Sequence, residues 1–127
     1  MDQLSKLWPN FTLKEFECPC GNSGCPKDGM EYWFISALQD LRLQFGSPLR
    51  INSGFRCYDY NQYILGAEKS KHCTGIAADI AITSLTADRK HRLLRKVFYR
   101  FTGIGIYRTF VHVDLRPLCE KAFWTSL

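Results

Sequence analysis

Gly75-Ile76-Ala77-Ala78-Asp79-Ile80-Ala81-Ile82 is a compact apolar run broken by one carboxylate. Its length and composition predict a buried strand. An unpaired carboxylate in so apolar a strand costs several kcal/mol, or is forced to stay protonated. Asp79 therefore requires a cation or a set of donors. Side chains alternate at period 2, so Ala77 and Ala81 share its face and leave space beside it. An arginine ion pair and a metal ion both meet that requirement.

Two other stretches bear on the choice. His72 stands on the approach to this strand, in Ser70-Lys71-His72-Cys73-Thr74. Phe110-Val111-His112-Val113-Asp114-Leu115-Arg116 alternates strictly, with Val111, Val113 and Leu115 on one side and His112, Asp114 and Arg116 on the other. The polar side is either a solvated sheet face or the floor of a site. Two histidines and one aspartate suit a catalytic zinc ion that keeps one position open for water. The remaining histidine, His91, sits in a charged run and reads as a solvated surface residue.

The surrounding elements follow from local signals. Thr12 with Glu15 forms a capping box that starts a short helix. Helical spacing runs from Glu31 to Phe45, with Phe34, Ala37, Leu38, Leu41 and Phe45 on one face and Gly46 as the stop. Leu49 to Asn52 reads as a short strand, and Ser53 to Asn61 as a polar loop. Thr86 to Phe101 reads as a basic amphipathic helix, with Ala87, Leu94, Val97, Phe98 and Phe101 available to its inner face. Gly103 to Tyr107 and Phe110 to Arg116 form a strand pair around a turn near Arg108. No regular βαβ rhythm appears, which favours the α+β class, a small antiparallel sheet flanked by helices.

The chain of 127 residues fits one domain, residues 1–127. Hydrophobic residues make up 46% and charged residues 23%, which excludes a disordered chain. The net charge of +5 favours anionic partners. No stretch approaches the ~20 apolar residues of a membrane span. The N-terminus lacks the apolar core of a signal peptide, so synthesis in a cytoplasm without a leader is expected, where thiols stay reduced. A nucleic-acid binder is disfavoured, since no run of bases with interleaved aromatics stands out apart from Arg89 to Arg100, which an exposed helix face explains.

From Cys18 to Gly29 nearly every residue is a turn former. Cys18, Cys20 and Cys25 lie in this loop and could bind a structural metal, form a disulfide or stay free. Their spacing lacks the paired C-x-x-C pattern of a strong zinc signature. A fourth ligand would come from Cys57, Cys73, Cys119 or elsewhere. Cys73 adjoins His72, and since adjacent residues usually point apart it is not counted as a ligand.

Ser70-x-His72-x-x-Gly75-x-Ala77-x-Asp79, followed by Phe110-Val111-His112-Val113-Asp114, resembles the zinc peptidoglycan peptidases of the M15 group. That group includes D-Ala-D-Ala carboxypeptidases and phage endopeptidases. Ile51-Asn52-Ser53-Gly54-Phe55-Arg56-Cys57 is similar to the family's Ser-Gly-Tyr-Arg segment, with Asn61 and Gly66-Ala67 following. Phe11-Thr12-Leu13-Lys14-Glu15-Phe16 is similar to its opening, and Gly103 to Tyr107 to the strand before the last ligand. The resemblance implies the fold of D-Ala-D-Ala peptidases and hedgehog-type domains. It implies that His72, Asp79 and His112 bind zinc, that Arg56 holds a carboxylate or carbonyl of the wall peptide, and that Ser70 supports the site by hydrogen bonding. It also implies peptidoglycan as substrate. A monomer is expected, and the lack of a signal peptide and of a separate wall-binding domain suits a phage or prophage lysis enzyme acting at the cell wall after release, or a part of a virion.

One position departs from the family. Many members carry an acidic base three residues before the last histidine, and here that residue is Thr109. Asp114 is the available substitute, since residues i and i+2 of a strand face one side roughly 6.5–7 Å apart. It serves either as general base, the preferred reading, or as a carboxylate orienting a ligand. The missing acid also leaves open a catalytically weak or inactive zinc-containing wall-binding module.

Overall fold

The structure, a computed structural model, describes residues 3–127; the first two residues, where the leader reading begins, lie outside it. Four α-helices and five strands are described: α1 (Leu4–Leu7), α2 (Tyr32–Phe45), β1 (Ile51–Ser53), α3 (Tyr58–Tyr63), β2 (Ala77–Ala81), α4 (Ala87–Arg100), β3 (Gly103–Tyr107), β4 (Phe110–Asp114) and β5 (Ala122–Ser126). The class is α+β, as the mixed patterning predicts. In the sheet the strand order is β1-β2-β4-β3-β5. All neighbours are antiparallel except β5, which runs parallel to β3 at the edge.

Period-2 alternation sorts the sheet into two unlike faces. One carries Ala78, Ile80, Ile104, Val111 and Val113, which join Phe34, Leu38 and Leu41 of α2 and Leu93 and Val97 of α4 in a single buried cluster. Burying each such Leu, Ile, Val or Phe side chain contributes about 1.5–3 kcal/mol. The other face carries Asp79, His112 and Asp114 beside Ala77, Gly103 and Gly105. The register aligns Asp79 with His112 and His112 with Gly105, and in the next row Ala77 with Asp114 and Asp114 with Gly103. Polar side chains thus lie side by side, and their strand neighbours are small enough to leave them room.

Local signals place most elements correctly. Gly46 ends α2. The Glu15 carboxylate accepts the Thr12 N–H at 2.7 Å, starting a single 3₁₀ turn over Leu13–Phe16. Trp8, after α1, is buried and donates its indole N–H to Ser36 Oγ at 2.9 Å.

Three details differ from expectation. Residues 58–61, read as the end of a loop, begin α3 instead; its three tyrosines are interleaved with polar residues and form no strong apolar stripe, and the Cys57 sulfur caps it by accepting the Tyr60 N–H. In α4 the buried residues are Leu93 and Val97, followed by Phe101 at the C-cap, while Ala87 is exposed and Leu94 half-buried. Phe98 turns outward, where it packs on Phe123 of β5 with ring centroids 5.1 Å apart. Strand β5 was not anticipated, although Phe123-Trp124-Thr125 has strand-forming composition.

Candidate metal centre

Strands β2 and β4 carry Asp79 and His112 as direct register partners. His72 enters from a 3₁₀ turn over Lys71–Thr74, which Ser70 caps by accepting the His72 N–H at 3.2 Å. The three side chains are buried and converge. His72 Nε2 lies 3.1 Å from Asp79 Oδ1 and 3.2 Å from His112 Nδ1, and His112 Nδ1 lies 3.1 Å from the same Asp79 oxygen.

The outer nitrogen of each ring fixes its tautomer. His72 Nδ1 is 2.7 Å from the Gly54 carbonyl, which can only accept, so Nδ1 carries the hydrogen. His112 Nε2 is 2.7 Å from Asp114 Oδ2 and likewise donates. With both rings neutral, the inner atoms His72 Nε2, His112 Nδ1 and Asp79 Oδ1 are all acceptors. Three acceptors at such distances repel unless they share a cation. A tetrahedral ion with N and O ligands at about 2.0–2.1 Å separates its ligand atoms by roughly 3.3 Å. The observed triangle matches that separation, so the residues fit a metal ion.

Asp79 answers both halves of the requirement set by its strand. Its Oδ2 accepts from Arg56 at 3.1 Å, while its Oδ1 faces the histidines. Burial acts to raise its pKa, but when a proton rather than an ion sits between the groups, hydrogen bonds from the protonated inner nitrogens of His112 and His72 outweigh burial and hold the carboxyl well below the usual range. Burial acts to lower the His112 pKa, yet the hydrogen bonds that the doubly protonated ring makes to Asp114 and Asp79 outweigh it and the pKa is raised. The pocket therefore draws in positive charge.

Asp114 is completely buried. Its Oδ2 takes the His112 hydrogen and an Arg116 guanidinium N–H at 2.7 Å, and its Oδ1 takes the Arg116 backbone N–H at 3.2 Å and Nε–H at 2.9 Å. Burial acts to raise its pKa, but the hydrogen bonds from Arg116 and His112 outweigh it and hold the carboxyl well below the usual range. Gly103 makes this placement feasible: a Cβ there would run into the Asp114 carboxylate.

A cleft of about 640 Å³ opens over the triangle. Arg56, Ser70, Lys69 and Lys71 line it together with the aromatic rings of Tyr107, Phe110 and Trp124. Arg56 is held by Asn61 Oδ1 at 3.1 Å and Ser53 Oγ at 3.2 Å as well as by Asp79. Asn61 is itself buried and donates to the Ala67 carbonyl at 2.8 Å. Trp124 lies against His112 at 5.3 Å between ring centroids and donates to the Tyr107 hydroxyl at 2.9 Å. Thr109 is exposed in the turn before β4, and among the described residues the only carboxylate lining the cleft is that of Asp79.

The sequence-predicted residues His72, Asp79, His112, Arg56 and Ser70 are thus brought to one place, and Asp114 lies directly behind His112. Sequence reasoning missed the parts played by Gly54, Asn61, Arg116 and Trp124. Arg116 was marked by the strand alternation. The Gly54 contribution is a backbone carbonyl, which no side-chain pattern can signal.

Two histidines and a carboxylate around an open position are the ligand set of a hydrolytic metal centre. The chain matches the family model of peptidase M15 over residues 9–114, most of its length, and belongs to that family. It is accordingly a metallopeptidase, metal-dependent and directed at a peptide-containing substrate. Arg116 and Trp124 lie beyond the matched residues. No curated protein matches the chain. No described helix is long and apolar enough to cross a membrane.

Proposed function

We propose that this metallopeptidase hydrolyses peptide bonds in bacterial peptidoglycan, in the stem peptide or its crosslinks, as a lysis or wall-remodelling enzyme of phage or prophage type. The observation that carries the reading is the acceptor triangle of His72 Nε2, Asp79 Oδ1 and His112 Nδ1 beneath a cationic cleft. These three atoms would hold zinc. A zinc ion there supplies Lewis acidity toward the scissile carbonyl and toward a water molecule.

The chain's own groups do the rest. The Gly54 carbonyl and Asp114 keep the outer ring nitrogens protonated, so the inner lone pairs of His72 and His112 face inward. Asp114 thereby acts as a positioning residue. Its full burial and its four accepted hydrogen bonds weigh against the general-base role favoured from the sequence. Arg56 is fixed by Ser53, Asn61 and Asp79 and has guanidinium N–H donors left for a carboxylate or carbonyl of the wall peptide. Ser70 holds the His72 turn. Lys69 and Lys71 add positive charge at the rim, although Lys71 is partly engaged by Glu120 at 3.4 Å. The overall charge of +5 keeps the protein on an anionic wall.

A second reading is a wall-binding module of the same fold with little or no turnover. The exposed Thr109, and a cleft that offers no carboxylate besides Asp79 among the described residues, favour it. Mass spectrometry of muropeptides released from purified sacculi, with and without chelator, separates the two. New peptide termini that disappear with chelator are expected. Zinc-loaded protein that binds sacculi and releases nothing would leave the binding module.

A further inference from the structure

A second convergence of ligands lies outside the cleft. Cys18, Cys20, Cys25 and Cys57 bring their Sγ atoms within 4.8 Å of one another, and none of the four lines the cleft. All are free thiols, as are Cys73 and Cys119, which stand apart from the group. The fourth member of the loop cluster is thus Cys57, contributed by a distant part of the chain.

Main-chain N–H groups reach three of the four sulfurs. The Cys57 N–H donates to Cys18 Sγ at 3.3 Å, the Asn22 N–H to Cys20 Sγ at 3.4 Å and the Tyr60 N–H to Cys57 Sγ at 3.4 Å. Main-chain donors aimed at sulfur favour thiolate over thiol. A tetrahedral zinc with sulfur ligands at about 2.3 Å separates them by roughly 3.8 Å, inside the observed limit. Four cysteines fill the coordination sphere and leave no position for substrate, which is the pattern of a structural site.

We infer that Cys18, Cys20, Cys25 and Cys57 bind one structural zinc ion that fastens the loop of residues 18–29 to the start of α3. The need for such a clasp is visible in the loop itself. Its own backbone bonds are few, among them Cys18 N–H to Lys27 O at 3.1 Å and Cys25 N–H to Asn22 O at 3.1 Å. The clasp closes beside the cleft. Cys57 follows Arg56 directly and caps the helix that carries Asn61, the Arg56 partner.

The test is metal analysis of the full-length chain, purified under reducing conditions with zinc present. About two zinc per chain are expected, one at each ligand set. Cys25→Ser should lose the thiolate-bound ion and keep the other, and His72→Ala should do the reverse. If the histidine site holds no metal, the wild type carries one zinc and Cys25→Ser none, so failure of the catalytic assignment is distinguishable. Cobalt substitution of the wild type needs no variant to fold: an intense thiolate-to-cobalt charge-transfer band with tetrahedral d–d bands is expected. Stripping the metal should also speed hydrogen exchange at the Asn22 and Tyr60 amides. A cobalt form without the charge-transfer band, or a Cys25→Ser chain with undiminished zinc, overturns the inference.

Discussion

His72, Asp79 and His112 are delivered by paired strands and a capped turn, whereas Cys18, Cys20 and Cys25 come from a loop with almost no regular structure. In the first group Asp79 and His112 are register partners, so backbone hydrogen bonds set their spacing before any ion arrives. Gly54 and Asp114 then aim the rings. In the second group only Cys57 belongs to an element, as the cap of α3. The centre proposed to perform chemistry thus stands on a rigid sheet. A clasp built on turns takes much of its order from the ion it binds. The two sites should therefore respond differently to the same insult, and that difference can be measured.

The largest effect is expected at the sheet site. His72→Ala removes one of three ligands, and the several kcal/mol of Lewis-acid stabilisation lost with the metal correspond to about 10³-fold in turnover of sacculi. The thiolate-bound zinc should be retained in the same preparation, as read by metal analysis. Loss of both ions together would break the contrast, because it would make the two sites one cooperative unit.

Asp114→Asn is a smaller perturbation. The amide keeps the shape of the carboxylate but weakens its hold on the His112 ring. Zinc affinity at the histidine site should fall about 10–100-fold in a competitive chelator titration, and excess zinc should restore most of the turnover. A loss of about 10²–10⁴ in turnover at full zinc occupancy would instead return Asp114 to proton transfer.

The smallest effect falls on the loop. Gly21 has φ +77, and nothing lies within 4 Å of a Cβ placed there, so Gly21→Ala meets no clash and only backbone strain. A left-handed conformation costs a residue with a Cβ about 1–2 kcal/mol. That cost should appear as roughly a 5–30-fold drop in metal affinity of the thiol site, with the histidine site and its turnover unchanged. An equal drop at both sites would show that the loop and the sheet are coupled.

The sequence by itself determined the class of the fold and singled out most of the residues that converge at the two proposed sites. A carboxylate stranded in Gly75–Ile82 demanded a charged partner, the alternation of Phe110–Arg116 placed His112 and Asp114 on one face, and the ordered motifs named the family. These signals are local: apolar periodicity and the cost of burying charge operate within a few residues, so one chain suffices to read them. Only the tertiary structure decided which partners meet. It divided the two Asp79 oxygens between Arg56 and the histidines, sealed Asp114 behind His112 with Arg116, selected Cys57 over Cys73 and Cys119, and laid β5 with Trp124 beside β3. Each of these choices depends on contacts between distant segments, fixed by strand register and packing, for which a linear sequence carries no periodic mark.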